Sequence, residues 1–248
     1  MGRRPRRRLP ELNTTPNQPM ECQMKLTIFA ATGGIGRQIA EQAVDAGHDV
    51  TVVVRNPQKL PGELPGQVRV VTSDLAAPDP ATLKLAVEGA GAVLSGLGAT
   101  SNSEAGVATA GTRAIAAAMQ ATGTRRIIVV SAAPIGTVPS PGQPNPPKHD
   151  PGDGFIMQHL LSPLTKAAFR KNYADLAQME DILRDSDLDW TAVRPPRLTG
   201  KPVTGTYRTA RGQNLRRGAF ISRADVAQYM LRAIDQPETI KQTIGIAN

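Results

Sequence analysis

The sequence has little of what several protein classes require. Its 248 residues contain one cysteine, Cys22, so an internal disulfide cannot form and a cysteine-based metal site is not expected. Aromatic residues make up 3% of the chain, too few for the base-stacking surfaces of nucleic-acid-binding proteins. No segment approaches the roughly 18–20 apolar residues that span a bilayer. We therefore expect a cytoplasmic protein with no metal, nucleic-acid partner or membrane segment.

The residues that are abundant favour one α/β domain. The chain is 40% hydrophobic, and most of that content is Ala, Val, Ile and Leu, which suits buried parallel strands covered by Ala-rich helices. About 250 residues commonly form one doubly wound domain. We expect a monomer or weak homodimer that acts on a small molecule.

Positive charge is concentrated in two places. Residues 1–23 carry five arginines and two glutamates without periodicity, which predicts a disordered basic extension ahead of a domain at 24–248. A second basic stretch, between 194 and 223, is either a solvated face or a surface that attracts an anionic cofactor or substrate. Its members are Arg194, Arg197, Lys201, Arg208, Arg211, Arg216, Arg217 and Arg223.

From residue 25 onward, short β-branched runs alternate with helical segments. This alternation predicts a doubly wound parallel sheet of the Rossmann type, with helices on both faces and no exposed edge among the strands. The predicted strands are Lys25–Ala30, Val50–Arg55, Val68–Thr72, Ala92–Leu97, Arg126–Ser131 and Trp190–Val193. The predicted helices are Gly36–Ala46, Pro80–Glu88, Glu104–Thr122 and Tyr173–Ser186.

The segment Pro134–Gly154 interrupts this alternation with seven prolines and four glycines, which exclude regular structure. It follows the carboxyl end of a predicted strand, where ligands bind in open α/β sheets. We therefore interpret it as an active-site flap and not as a linker between domains.

A glycine-rich turn joins the first predicted strand to the first predicted helix, which is the context that a dinucleotide-binding turn requires. Gly33 allows the main chain to approach a pyrophosphate, and Gly36 allows the helix to pack on the strand. The alternative is a glycine turn without a ligand. The turn reads Ala30-Ala31-Thr32-Gly33-Gly34-Ile35-Gly36, and we assign its residues Thr32, Gly33, Gly34, Ile35 and Gly36 to cofactor binding.

The end of the second strand carries Arg55, where an NAD-specific protein would place an Asp or Glu. A guanidinium binds a 2′-phosphate bidentately, whereas a carboxylate repels it. We therefore predict that the cofactor is NADPH/NADP, and the alternative is that Arg55 is simply a solvated arginine at a strand end.

Further candidates follow the next strands at the same edge. Asp74 and Leu75 would lie near the adenine, although Asp74 could equally cap a turn. Gly98 follows the fourth strand in a run of small residues that leaves room for the nicotinamide ribose. Ser131 ends the fifth strand, and its hydroxyl either supports the reacting centre or satisfies local backbone groups.

These residues together resemble those of the atypical short-chain dehydrogenases with NmrA-like NAD(P)H-binding domains, in particular the flavin reductase/biliverdin reductase B type. The resemblance extends over nearly all of 24–248. It rests on the glycine turn and on Val50–Arg55, Thr72–Leu75, Val129–Ala132, Val193–Pro196, Thr204–Tyr207 and Ile221–Ala227.

The resemblance implies an NADPH-dependent reductase of a flavin, quinone or similar electron-poor aromatic, with Arg55 at the 2′-phosphate and Ser131 beside the nicotinamide. Two departures are visible. Ala30 replaces the first glycine of the usual turn, and Tyr173 lacks the lysine of a Tyr-x-x-x-Lys pair because residue 177 is alanine. Tyr173 is therefore at most an accessory proton donor. The same fold could also serve a biosynthetic ketoreductase, cyclase or isomerase, or a non-catalytic NADP(H) sensor.

Overall fold

The structure is a computed structural model that describes residues 23–60, 68–98, 104–152 and 169–248. Ten strands occur in these ranges: β1 (Lys25–Phe29), β2 (Asp49–Val54), β3 (Arg69–Thr72), β4 (Ala92–Ser95), β5 (Arg126–Val130), β6 (Asp189–Arg194), β7 (Arg197–Thr199), β8 (Arg208–Arg211), β9 (Phe220–Ser222) and β10 (Gln242–Ala247). Five α-helices accompany them: α1 (Gly34–Asp45), α2 (Pro80–Val87), α3 (Val107–Thr122), α4 (Arg170–Arg184) and α5 (Arg223–Arg232).

Eight strands form one sheet in the order β3-β2-β1-β4-β5-β6-β10-β8. All neighbours are parallel except β10 and β8, which are antiparallel. Successive strand residues face opposite sides, so Ile28 packs with the residues of α1 and α5 while Phe29 packs with those of α2, α3 and α4. The predicted doubly wound Rossmann fold is confirmed. Its order reverses around β1, so the glycine turn that follows β1 lies at the switch point where dinucleotides bind.

The prediction that no strand would be an exposed edge is wrong for β3. Among the residues that the structure describes, this strand pairs only with β2, and Val70 is 45% exposed. Its valines are typical of a buried strand, but β-branched residues also tolerate a half-exposed edge.

The elements after β6, namely β7 to β10 and α5, were not among those predicted. The strands β7 and β9 have three residues each, and two of the four residues of β8 are arginines. Strands this short and polar carry too few apolar residues for a recognisable alternation.

The flap is irregular, as predicted, apart from a 3-10 helix at Ala133–Thr137. Hydrogen bonds to two carboxylates, those of Asp181 and Asp150, join its described part to the rest of the domain. Asp181 of α4 accepts hydrogen bonds from the Ser140 hydroxyl and the Gly142 amide, at 3.0 and 2.9 Å. Asp150 accepts one from the Asn214 amide at 2.8 Å. The described part of the flap therefore packs against α4 and the segment around Asn214.

The predicted extension lies outside the described residues except for Gln23, and so do the last two residues of the flap. Within the described ranges, no helix is long and apolar enough to cross a membrane. The same ranges contain no cluster of three or more side chains suited to hold a metal ion.

Candidate active site

The glycine turn is shaped by close contacts of its own main chain. Ala30 adopts a left-handed conformation, with φ of 60°, and its carbonyl accepts a hydrogen bond from the Gly33 amide at 2.9 Å. A Cβ on Gly36 would lie 2.2 Å from that carbonyl oxygen, and one on Gly96 would lie 2.9 Å from the Gly36 nitrogen. The first contact admits no side chain at Gly36, and the second brings the residue after β4 against the start of α1.

The start of α1 leaves main-chain donors available. No side chain caps the helix at Gly33, and the first intrahelical bond runs from the Arg37 amide to the Gly33 carbonyl at 2.8 Å. Within the described residues, the amides of Gly34, Ile35 and Gly36 therefore have no acceptor. Thr32 is exposed beside them. These donors, with the positive end of the helix dipole, fit the pyrophosphate of a dinucleotide.

Arg55 lies one residue beyond β2, and its side chain is 64% exposed. A guanidinium nitrogen is 3.7 Å from an oxygen of Glu104, which precedes α3. The ion pair is long and solvated, so it is weak and can be exchanged for another anion. The assignment of Arg55 to the 2′-phosphate stays a prediction, and Glu104 is a competitor that the sequence did not reveal.

The residues after β3 and β4 have different environments. Asp74 accepts a hydrogen bond from the Ala76 amide at 3.0 Å, which is the turn-capping role, one of the two expected for it. Leu75 is buried and packs with Leu97 over Gly111 of α3. Gly98 is exposed with open space above it, and its contact with a ribose stays a prediction.

Ser131 belongs to a buried network. Its hydroxyl donates a hydrogen bond to Glu180 Oε1 at 2.7 Å, and the serine is 6% exposed. Glu180 also accepts two hydrogen bonds from Arg194, at 2.9 and 2.5 Å, and pairs with Arg184 at 3.3 Å. The network joins the ends of β5 and β6 to α4. The hydroxyl therefore has a local acceptor, and a role for Ser131 in catalysis stays a prediction.

Tyr173 lines a cavity of about 600 Å³ at the carboxyl ends of β5 and β6. Two phenylalanines, Phe169 and Phe220, line the same cavity, and both are about half exposed. The remaining wall is mainly small and apolar, with Ala132, Ala133, Pro134, Pro195, Pro196, Leu215, Ala219, Ile246 and Ala247. Burial raises the pKa of Tyr173, so its hydroxyl stays protonated at neutral pH and can donate but not accept a proton.

The basic stretch at 194–223 separates into different environments. Arg194 is buried against Glu180, whereas Arg197 lies 5.9 Å from the ring centroid of Phe220 at the cavity. Arg208 donates hydrogen bonds to the carbonyls of residues 216 and 248. Arg223 lies beside the glycine turn. These basic residues therefore do not form a single solvated face.

Two structural acids were not among the predicted residues. Asp175 of α4 caps α3, because its carboxylate accepts hydrogen bonds from the Ala108 and Thr109 amides at 3.0 and 2.9 Å. Asp225 accepts hydrogen bonds from the amides of residues 204 and 205 and from the Ser222 hydroxyl. The spacing Ser222-x-x-Asp225 is a recognisable pattern for the start of a helix, and it is the sequence signal from which α5 could have been predicted.

Residues 30–237 match the NAD(P)H-binding family, and the chain belongs to it. The match begins at the glycine turn and extends through α5, so it covers the turn, Arg55, Ser131 and Tyr173 but not β10, which lines part of the cavity. The fold is that of NAD(P)-binding reductases of the short-chain dehydrogenase type, as the sequence resemblance implied.

Particular relatives share most of the chain's length. The uncharacterized protein YwnB of Bacillus subtilis is 25% identical over 227 residues, covering 87% of this chain and 94% of YwnB. A putative NADH-flavin reductase from Streptococcus pneumoniae superposes with a TM-score of 0.68 at 25% identity, covering 91% of this chain and 99% of its own. A short-chain dehydrogenase/reductase from Veillonella parvula, solved with NADP, gives a TM-score of 0.71 at 21% identity, covering 91% and 94%.

Proposed function

We propose that the protein is an NADPH-dependent reductase of flat, electron-poor aromatic substrates such as flavins or quinones. The observation that carries this proposal is the cavity of about 600 Å³ beside the carboxyl ends of β5 and β6. It opens at the same edge of the sheet as the dinucleotide turn, and its walls are mainly apolar and aromatic, with Arg194, Arg197 and Asn214 as the polar lining residues. A flat apolar ring system is the ligand that such walls favour.

The cavity offers little acid–base machinery. Tyr173 is its one tyrosine among the described residues, Ala177 stands where a catalytic lysine would be, and burial raises rather than lowers the pKa of the Tyr173 hydroxyl. The phenolate that alcohol oxidation uses is therefore disfavoured at Tyr173. Reduction of an aromatic that already accepts hydride readily needs alignment more than proton abstraction.

The nicotinamide supplies hydride when the cofactor is bound. Around it, the Gly34, Ile35 and Gly36 amides would hold the pyrophosphate, and Arg55 would hold the 2′-phosphate. Tyr173 would donate a hydrogen bond to the reduced substrate. The Ser131 oxygen keeps acceptor lone pairs and is fixed in orientation by Glu180. We therefore assign Ser131 to positioning the nicotinamide amide.

The streptococcal protein supports the substrate class, since at 25% identity it matches this chain along nearly its whole length. It is described as a putative NADH-flavin reductase, so the proposed preference for NADPH in this protein depends on Arg55. The Veillonella structure, which contains NADP within the same fold, is consistent with a phosphorylated cofactor.

The direct test is consumption of NADPH, followed at the absorbance of the reduced nicotinamide, with flavin mononucleotide, riboflavin and a short-chain quinone. We expect turnover with at least one of them and none with simple secondary alcohols and NADP⁺. A protein that binds NADPH calorimetrically but consumes none with any of these acceptors is not a reductase of this substrate class, and the proposal would be wrong.

Single-turnover measurements then address the two candidate catalytic residues. We expect Ser131→Ala to slow hydride transfer more than Tyr173→Phe, because we place Ser131 at the nicotinamide while Tyr173 only assists. Thr199→Ala is a control at a half-buried hydroxyl that does not line the cavity. An unchanged rate in Ser131→Ala together with inactive Tyr173→Phe would reverse the two roles.

A further inference from the structure

Arg223 lies across the start of the dinucleotide helix. It is the first residue of α5, and its side chain reaches the glycine turn. A Cβ placed on Gly34 would lie 2.7 Å from Arg223 Cδ and 2.8 Å from Nε, with the guanidinium carbon at 3.8 Å. The Gln42 side chain, which donates to the Ala224 carbonyl at 3.0 Å, holds α1 and α5 together at this crossing. Helix packing therefore places the start of α5, and with it Arg223, beside the glycine turn.

This guanidinium has no anionic partner within the described residues. Arg223 forms no ion pair and no hydrogen bond in the ranges that the structure describes, although it is partly buried. The basic side chain of α1 at the same end, Arg37, is by contrast paired with Glu41 at 2.6 Å. A partly buried cation without a partner is an uncommon arrangement, because part of its hydration is lost without compensation.

The position of Arg223 at the N-terminal end of α1 makes its unpaired charge still more unfavourable when no ligand is bound. Three free amides and the positive end of the α1 dipole already lie at Gly34–Gly36, and a cation is disfavoured at that end of a helix. An anion between the amides and the guanidinium would satisfy both sets of donors. The family match covers this turn and α5, so the anion expected there is part of the NAD(P)H cofactor.

We propose that Arg223 binds the cofactor pyrophosphate from the side of α5. Its guanidinium supplies the positive charge that the main-chain amides of the turn lack, and Gly34 is required because any side chain there would displace Arg223. The inference rests on dinucleotide binding at the turn and is independent of which substrate the cavity accepts.

The test compares three ligands by calorimetry at one salt concentration: NADP⁺, NAD⁺ and adenosine 2′-monophosphate, which has no pyrophosphate. Arg223→Met keeps an unbranched stem that packs on Gly34 and removes the charge. We expect both dinucleotides to bind about tenfold more weakly, equivalent to about 1.4 kcal/mol. The affinity for adenosine 2′-monophosphate should change by no more than about twofold.

Arg37→Met is the matched control, because it removes the same charge from the same end of α1 and should leave all three affinities nearly unchanged. Arg223→Lys should recover part of the dinucleotide affinity. A second readout is the rise in melting temperature that NADP⁺ causes, which should shrink in Arg223→Met while the unliganded protein melts no lower than the unmodified one.

Unchanged dinucleotide affinity in Arg223→Met would overturn the proposal. An equal loss for adenosine 2′-monophosphate would also overturn it, since that result indicates a distorted site. If Arg223→Met does not fold, Arg223→Lys decides: a loss of affinity for both dinucleotides that is smaller than the tenfold loss expected for the Met variant supports a charge contact, and a loss as large contradicts it.

Discussion

The ion pair between Arg55 and Glu104 sets a measurable limit on cofactor preference. The two side chains are 64% and 37% exposed and 3.7 Å apart, so releasing the pair costs at most about 1 kcal/mol. A guanidinium that binds a 2′-phosphate gains about 1.5–3 kcal/mol. The net gain is therefore about 0.5–3 kcal/mol, and its middle value corresponds to a preference for NADPH over NADH of at least about tenfold.

Two substitutions change this preference in opposite directions. Glu104→Gln removes the competing carboxylate and its repulsion of the phosphate, so we expect NADPH preference to rise by about two- to fivefold, equivalent to about 0.5–1 kcal/mol. Arg55→Asp reproduces the carboxylate of NAD-specific proteins and should make NADH the preferred cofactor. NADH affinity should change little in Glu104→Gln, because NADH carries no 2′-phosphate.

The assay is calorimetric titration of each protein with NADP⁺ and NAD⁺ at two salt concentrations. Preference for NADP⁺ should fall as salt increases, because the contacts of Arg55 are exposed. Lys84→Gln, at an exposed lysine of α2, controls for a general loss of positive charge. Equal affinities for the two cofactors in the unmodified protein, or an unaltered ratio in Arg55→Asp, would refute the reasoning.

Three further outcomes concern stability. Ala30→Gly should raise the melting temperature by about 2–4 °C, since glycine relieves the left-handed φ of 60° for a gain of about 1 kcal/mol; a lower melting temperature would contradict this. Glu180→Gln should lower the free energy of unfolding in urea by about 3–5 kcal/mol, because it leaves Arg194 charged and buried without its partner. A loss below about 1 kcal/mol would show that the Arg194–Glu180 ion pair is dispensable. Burial raises the pKa of Tyr229 to about 12. The neutral tyrosine therefore contributes stability that is complete below about pH 10 and is lost as the pH rises toward about 12. Tyr229→Phe should reduce this loss of stability at alkaline pH, measured as melting temperature against pH.

Local sequence patterns were sufficient to predict the first six strands and four of the helices. Each has an apolar run or an amphipathic stretch bounded by Gly, Pro or a capping residue, as Asp79 and Pro80 bound α2. The strands β7, β8 and β9 lack such a clear pattern. The residues Arg208–Arg211 form a strand because β10 pairs with them from more than thirty residues away, which is a tertiary effect.

The site was predictable where main-chain geometry defines it and less so where side chains meet. Gly36 could be assigned from its place between a strand and a helix. The acidic partners of Arg55 and Ser131 could not be predicted from the sequence. Glu104 and Glu180 come from distant parts of the chain, and no local pattern indicates that they contact Arg55 and Ser131. The contact of Arg223 with the glycine turn is of the same kind, since nearly the whole domain separates the two along the sequence.

The hydrogen bonds of Asp181 and Asp150 that hold the flap have a consequence for protein engineering. Asp181 holds it at Ser140 and Gly142, and Asp150 holds it to Asn214, so the stretch between these points, residues 143–149, begins and ends at fixed positions. Most of these residues are exposed, and several line a second cavity of about 350 Å³ next to Arg194. A combinatorial library confined to residues 143–149 can therefore alter the chemistry of that wall while the sheet and the dinucleotide turn remain intact.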